Sequence, residues 1–190
     1  MSDDRYSMDT PDSIKMKVKA VADFLITSKL ANGRTALDVG GADGYLASLI
    51  PNCLVVDPYP VPEDQMHIVP MAFNECTIYE VDELFELIVY NHVLEHIKRD
   101  YDEIEQAATR LVPGGYLFIA VPSSDSENTE WLSGVEPHVH IYDPNTLKRI
   151  ARHAGLKVVS AVFMELEKGR REIWMTARRP LDDDELVSNK

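Results

Sequence analysis

The sequence is poor in basic charge. Its 190 residues carry 19 lysines and arginines against 32 aspartates and glutamates, a formal net charge of −13. Such a surface repels phosphate backbones, so nucleic acid is not an expected partner. The basic pairs near the end, Arg170-Arg171 and Arg178-Arg179, flank a predicted strand and read as a solvated face. Cysteine is scarce, with only Cys53 and Cys76. That excludes a disulfide framework, and the separation matches no zinc spacing. Cys53 opens a predicted buried strand as a small core residue. No apolar run approaches the ~18–20 residues of a bilayer span, so no membrane partner is expected. Met1-Ser-Asp-Asp-Arg5 is polar and lacks a signal-peptide apolar region, and the expected location is cytoplasmic. Repeats and low-complexity tracts are absent as well.

What is present is an alternation of short apolar runs with helix-like segments. Thr10-Pro11 is a helix start, with a hydroxyl N-cap and proline in the first turn. Ile14, Val18, Val21, Ala22 and Leu25 recur at helical spacing, which predicts an amphipathic helix to about Leu30. Strands are predicted at Thr35–Val39, Leu54–Asp57, Met66–Val69, Leu84–Tyr90 and Tyr116–Val121, apolar on both faces as in a covered parallel sheet. Helices are predicted at Gly44–Ile50, Tyr101–Leu111 and Pro144–His153. Pro113-Gly114-Gly115 separates the second of these from the fifth strand. Gly155 ends the last helix, and Leu156–Val162 and Glu172–Ala177 form a hairpin about Lys168-Gly169. The prolines 58, 60 and 62 leave a short loop where a crossover helix would stand. The fold class that follows is α/β, a doubly wound sheet, mostly parallel with an antiparallel last strand and helices on both faces. Residues 1–9 are expected to be a flexible N-terminus, 10–179 a single domain and 180–190 an acidic flexible tail.

Chemistry concentrates at two strand ends. The first strand delivers Asp38 to the carboxyl edge of the sheet, and Gly40, Gly41, Ala42 and Gly44 then allow close backbone approach. Asp57, thirteen residues after Gly44, ends the second strand where an acid accepts ribose hydroxyls. A dinucleotide reader wants Gly-x-Gly-x-x-Gly, and Gly40-Gly41-Ala42-Asp43-Gly44-Tyr45-Leu46 lacks that register. The turn resembles instead motif I of class I S-adenosylmethionine-dependent methyltransferases, Asp-x-Gly-x-Gly-x-Gly, through Asp38, Gly40, Ala42 and Gly44. Alanine replaces the middle glycine. Phe85–His96 is similar to that family's fourth strand and following turn. Arg110–Ile119 is similar to its helix, Pro-Gly-Gly break and fifth strand. His138–Leu147 and Ala154–Val158 are similar to the later part of its small-molecule members. The resemblance covers about Thr35 to Ala177 and implies a Rossmann-like domain with S-adenosylmethionine as cofactor.

Carried over by position, the resemblance implies these roles. Gly40, Gly41, Ala42 and Gly44 line the methionine end of the cofactor, and Asp38 holds its amino group. Asp57 binds the ribose. Asn91 and His92 contact the methionine moiety, and Ala72, Phe73 and Asn74 follow the third strand beside the adenine. Tyr45 covers either the cofactor or the sheet. The candidate catalytic residues are His92, His138 and His140, any of which is a possible general base for a protonated acceptor. His92 and His96 share a face if their turn is helical, as do His138 and His140 if extended. No carboxylate or cysteine spacing accompanies these histidines, so no metal is expected. The long polar loop from Pro122 to Tyr142, with Trp131 in it, lies where an acceptor pocket or lid belongs.

The expected reaction is methyl transfer by in-line displacement to a small-molecule or glycan-like acceptor. The family's Asn/Asp-Pro-Pro-Tyr/Phe signature of base amino methylation is absent at Tyr90-Asn91-His92-Val93, and neither cysteine follows a proline as in cytosine methylation. The alternatives are a catalytically silent relative acting as a binding or interaction module, favoured by Ala42, and a nicotinamide-dependent oxidoreductase. The oligomeric state is open.

Overall fold

The computed structural model describes residues 12–59, 71–72, 76–125, 138–165 and 171–182. Helix α1 spans Asp12–Thr27 and buries Val21, Ala22 and Leu25 of the predicted stripe, while Val18 is partly buried and Ile14 is exposed. It ends three residues short of Leu30 for local reasons. The Thr27 and Ser28 hydroxyls donate back to the carbonyls of Asp23 and Phe24 at 2.7 Å each, and Lys29 turns left-handed at φ 62°. Strand β1 (Ala36–Val39) and strand β2 (Cys53–Val56) are buried throughout, flanking the short helix α2 (Tyr45–Leu49). Strand β4 is Phe85–Asn91, helix α3 Asp100–Arg110, strand β5 Leu111–Pro122, helix α4 Pro144–His153, strand β6 Lys157–Glu165 and strand β7 Arg171–Arg178.

The strand expected at Met66–Val69 lies outside the described residues. Strand β3 is Met71–Ala72, paired parallel with Leu54 and Val55, so Ala72 lies within the strand it was expected to follow. The Pro113-Gly114-Gly115 segment also differs from expectation. It lies inside β5, which begins at Leu111 directly after α3. Leu111 pairs with Phe85 and Tyr116 with Leu87, so the extra residues form an irregularity that the sheet absorbs. The amide of Gly114 is satisfied there by the carbonyl of Arg179 at 3.0 Å.

The sheet order is β3-β2-β1-β4-β5-β7-β6, parallel except for β7, which runs antiparallel to both β5 and β6. Apolar residues on both faces require cover on both, and the helices supply it. Val21, Leu25 and Leu46 from α1 and α2 pack with Val55, Leu87, Val89, Phe118 and Trp174. Ile104, Leu147 and Ile150 from α3 and α4 pack with Leu37, Ile88, Leu117 and Ile119. Each such fully buried side chain stabilises the fold by about 1.5–3 kcal/mol before entropy is counted. Helix α4 is closed at both ends. Asp143 accepts from the amides of Asn145 and Thr146 at 2.7 and 3.2 Å. Gly155, at φ 75°, donates to Arg152 while Leu156 donates to Ala151, a Schellman ending. Among the described residues no helix is long and apolar enough to cross a membrane.

The chain leaves β1 toward β2 on one side and returns to β4 on the other. That reversal opens a crevice at the carboxyl ends of β1 and β4, where open α/β sheets bind ligands.

Candidate active site

The turn after β1 is drawn tight across the crevice. Gly40 has φ 69°, and its amide donates to the Val56 carbonyl at 2.7 Å. A Cβ on Gly40 would stand 2.5 Å from Val93 Cγ2, so the turn after β4 closes directly onto it. At Gly41 a Cβ would stand 2.5 Å from Asp38 Oδ2. Ala42 adopts φ 45°, a left-handed backbone that glycine takes without strain. What holds it there is Asp57. Its Oδ2 accepts the Ala42 amide at 2.9 Å, and its Oδ1 accepts the Tyr59 amide at 2.9 Å.

Two cavities meet at this turn. The larger, about 570 Å³, is lined by Val56, Asp57, Tyr59, Ile78, Tyr79, Val93 and His96. The smaller, about 340 Å³, is lined by Lys17, Val18, Asp38, Gly41, Tyr45 and Asn91. Gly40, Ala42 and His92 line both. Tyr45 therefore faces the smaller cavity, with the ammonium of Lys15 6.0 Å from its ring centroid. Helix α2 is only five residues long, so its N-terminus adds little dipole to the turn.

Asp38 is buried, and its Oδ2 has no hydrogen-bond partner among the described residues. Burial, with Asp57 and Asp43 adding like charge, pushes its pKa up to about 8. At neutral pH the group holds its proton, and a cation arriving in the smaller cavity would favour its ionised, accepting form.

The structure separates the three candidate histidines. His92 has φ 58° at the end of β4, and its Nε2 lies 2.7 Å from Glu172 Oε1. Its Nδ1 lies 3.4 Å from Glu95 Oε1. Burial alone would lower its pKa, but the bonds to Glu172 and then Glu95 outweigh that and hold it near 10. An imidazolium accepts no proton, so these two bonds work against a general-base role for His92. His140 is turned away toward α3, with Nε2 3.3 Å from the Lys98 carbonyl and Nδ1 4.0 Å from Asp100 Oδ2. His138 stands against His96, ring centroids 4.8 Å apart and nearly perpendicular. Its Nδ1 has no partner among the described residues, and burial lowers its pKa.

Glu172 and Glu95 are the residues that sequence reasoning missed. Glu172 sits on β7, bonded through its other oxygen to Trp174 Nε1 at 2.9 Å, and meets His92 only because β7 inserts beside β5. An acid at the start of a predicted strand carries no signal of that pairing. Glu95 lay in a quoted motif, between His92 and His96, without a partner to mark it. Asn74 and Trp131 lie outside the described residues.

This geometry has known counterparts. The family described as "Methyltransferase domain" matches residues 15–161. Among solved structures, the N-methyltransferase NodS from Bradyrhizobium japonicum WM9 is 20% identical, covers 91% of this chain and 99% of its own, and superposes with a TM-score of 0.66. The 1,6-didemethyltoxoflavin-N1-methyltransferase from Burkholderia thailandensis, solved with its acceptor and S-adenosylhomocysteine, is 20% identical over 89% and 80% of the two chains, with a TM-score of 0.68. A SAM-dependent methyltransferase from Archaeoglobus fulgidus is 17% identical over 90% and 100%, with a TM-score of 0.69. A sequence search of curated proteins finds no match. At these identities the structures establish the shared fold. The family match runs from α1 through the glycine turn, the crevice and into β6, and on it the chain belongs to the class I S-adenosylmethionine-dependent methyltransferases.

Proposed function

We propose that the acceptor is a small molecule, of metabolite or glycan-like kind, and that the two joined cavities divide the work between cofactor and acceptor. The observation that carries this is their meeting at Gly40, Ala42 and His92, each cavity of a volume that encloses a small ligand. Toward the cofactor, the unpartnered oxygen of Asp38 suits the ammonium of the methionine end. The backbone of Gly40, Gly41, Ala42 and Gly44 passes beside it, with Asn91 opposite. Asp57, whose carboxylate is fixed by two turn amides and lines the larger cavity, suits the ribose hydroxyls. The bound cofactor supplies a methyl group on a cationic sulfur whose leaving group is neutral. The protein's part is then mostly positioning. His92, held between two carboxylates, lines both cavities, and His138 packs on His96, which lines the larger.

Charge supports a small acceptor. Asp38, Asp43, Asp57, Glu95 and Glu172 crowd the crevice of a chain already at −13, which disfavours a phosphate backbone. The silent-module reading drew on Ala42, the missing crossover helix and the missing adenine acid; of these, Ala42 holds a left-handed conformation with its amide bonded, which weakens its part of that reading.

The test is incubation with methyl-labelled S-adenosylmethionine and a fractionated cell extract. Label is expected in the acid-soluble small-molecule fraction. Label that accumulates in protein or nucleic acid overturns the acceptor class.

A further inference from the structure

One cluster outside the cofactor cradle has unmet chemistry. Glu95, His96 and His138 each present one donor atom, and these atoms lie within 4.8 Å of one another. Glu95 is 1% exposed. Its Oε1 faces His92 Nδ1 at 3.4 Å, while its Oε2 has no hydrogen-bond partner among the described residues. The Nδ1 atoms of His96 and His138 are buried and equally unpartnered. A buried carboxylate oxygen and buried imidazole nitrogens, brought together without hydrogen-bond partners, form a costly arrangement that a cation would relieve. We propose that Glu95, His96 and His138 form a binding site for a divalent cation of the zinc type.

The donor set is the argument for that ion class. Two imidazoles and one carboxylate are the ligands of a borderline cation, not of calcium or magnesium, which prefer oxygen throughout. Ligand bonds of about 2.0–2.2 Å require donors about 3–3.5 Å apart, so the triad must contract by about 1 Å on loading. Side-chain rotation supplies this, because the backbone is already set. The Val139 and His140 amides donate to the Glu95 carbonyl at 2.8 and 3.2 Å. The Tyr142 hydroxyl donates to the Leu94 carbonyl at 3.2 Å. These bonds dock the segment before α4 onto the turn after β4 and deliver His138 to Glu95 and His96. Glu95 is suited to bridge, with Oε1 toward His92 and Oε2 toward the ion.

Three protein ligands leave coordination positions open for oxygen ligands from solvent. His96 also lines the larger cavity, so those positions lie beside the site where the cofactor and acceptor meet.

The experiment uses the full chain, stripped with chelator and titrated with Co²⁺ as the probe. One equivalent is expected, with visible d–d absorption. His138→Ala and His96→Ala are expected to abolish that absorption and to weaken Co²⁺ binding by at least about 100-fold, more than an outer-shell change typically does. No visible absorption with Co²⁺ in large excess overturns the site. So does Co²⁺ binding that both histidine variants leave unchanged. Glu95→Gln is the third variant, but its burial makes it a folding risk, so the half-buried His138 carries the decision. Titration with S-adenosylhomocysteine in parallel reports that each variant is folded, and its outcome is independent of the metal's.

Discussion

The two sides of the site are built from opposite materials. The proposed cofactor side is backbone: one unbroken turn, Asp38 to Gly44, fixed by bonds to the Val56 carbonyl and the Asp57 carboxylate. The histidine side is side chain: His92, Glu95 and His96 after β4, His138 before α4, and Glu172 from β7. The first tolerates almost no added atom. The second depends on charge balance and leaves room for an ion. Substitutions should therefore fail for steric reasons on one side and for electrostatic reasons on the other.

The largest expected effect tests the steric side. Gly40→Ala places a methyl 2.5 Å from Val93 and demands a left-handed alanine. Overpacking and backbone strain together should cost about 3–4 kcal/mol in urea unfolding. The double variant with Val93→Ala should recover the overpacking part and not the strain.

Asp38 provides the electrostatic contrast within the cofactor side. Its folded pKa is raised from 3.8 to about 8, so the folded chain holds a proton that the unfolded chain releases. Stability without cofactor should fall as pH rises between those values, by on the order of 6 kcal/mol, and level off above the upper one. Asp38→Asn should flatten that slope in thermal unfolding. S-adenosylmethionine affinity should rise over the upper part of the same window as Asp38 ionises.

Asp57→Ala removes the acceptor of two amides and the proposed ribose contact. S-adenosylhomocysteine affinity measured by calorimetry should fall by about 2 kcal/mol, roughly thirtyfold. Undiminished affinity would sink the ribose role.

On the histidine side, Glu172→Gln removes the charge beside His92 and leaves one oxygen to accept from His92 or from Trp174, not both. It should cost about 1–2 kcal/mol near neutral pH. The sign with pH follows from His92. A histidine raised to about 10 contributes stability that is complete below its ordinary value and lost as pH rises through the raised one. The variant should therefore lose most of its deficit by about pH 10. Equal deficits at both pH values would contradict the charge account. The smallest effect is Ala42→Gly, which relieves a left-handed alanine and should stabilise by about 0.5–1 kcal/mol.

Much of the fold was legible from local pattern. Apolar periodicity located α1, β1, β2 and β4, because burial on a helix stripe or on both strand faces leaves its mark in consecutive residues. The boundaries moved where side chains or distant partners intervened: Thr27 and Ser28 at the end of α1, and the β4 register at Leu111. Within the site, Asp38, the glycines and Asp57 were legible because they lie within two short stretches joined by one turn. The roles of the histidines were not. His140 and His138 stand two residues apart, yet one is taken up by Lys98 and Asp100 and the other joins Glu95.

By itself the sequence determined the cradle, since a tight turn between two strand-end acids needs only residues already adjacent along the chain. The tertiary structure decided the charge state of His92 and the company of His138. Those depend on Glu172, eighty residues from His92, and on Glu95, forty-three from His138. Electrostatic coupling acts through space, and sheet order and loop docking, not spacing in the chain, bring such groups within its reach.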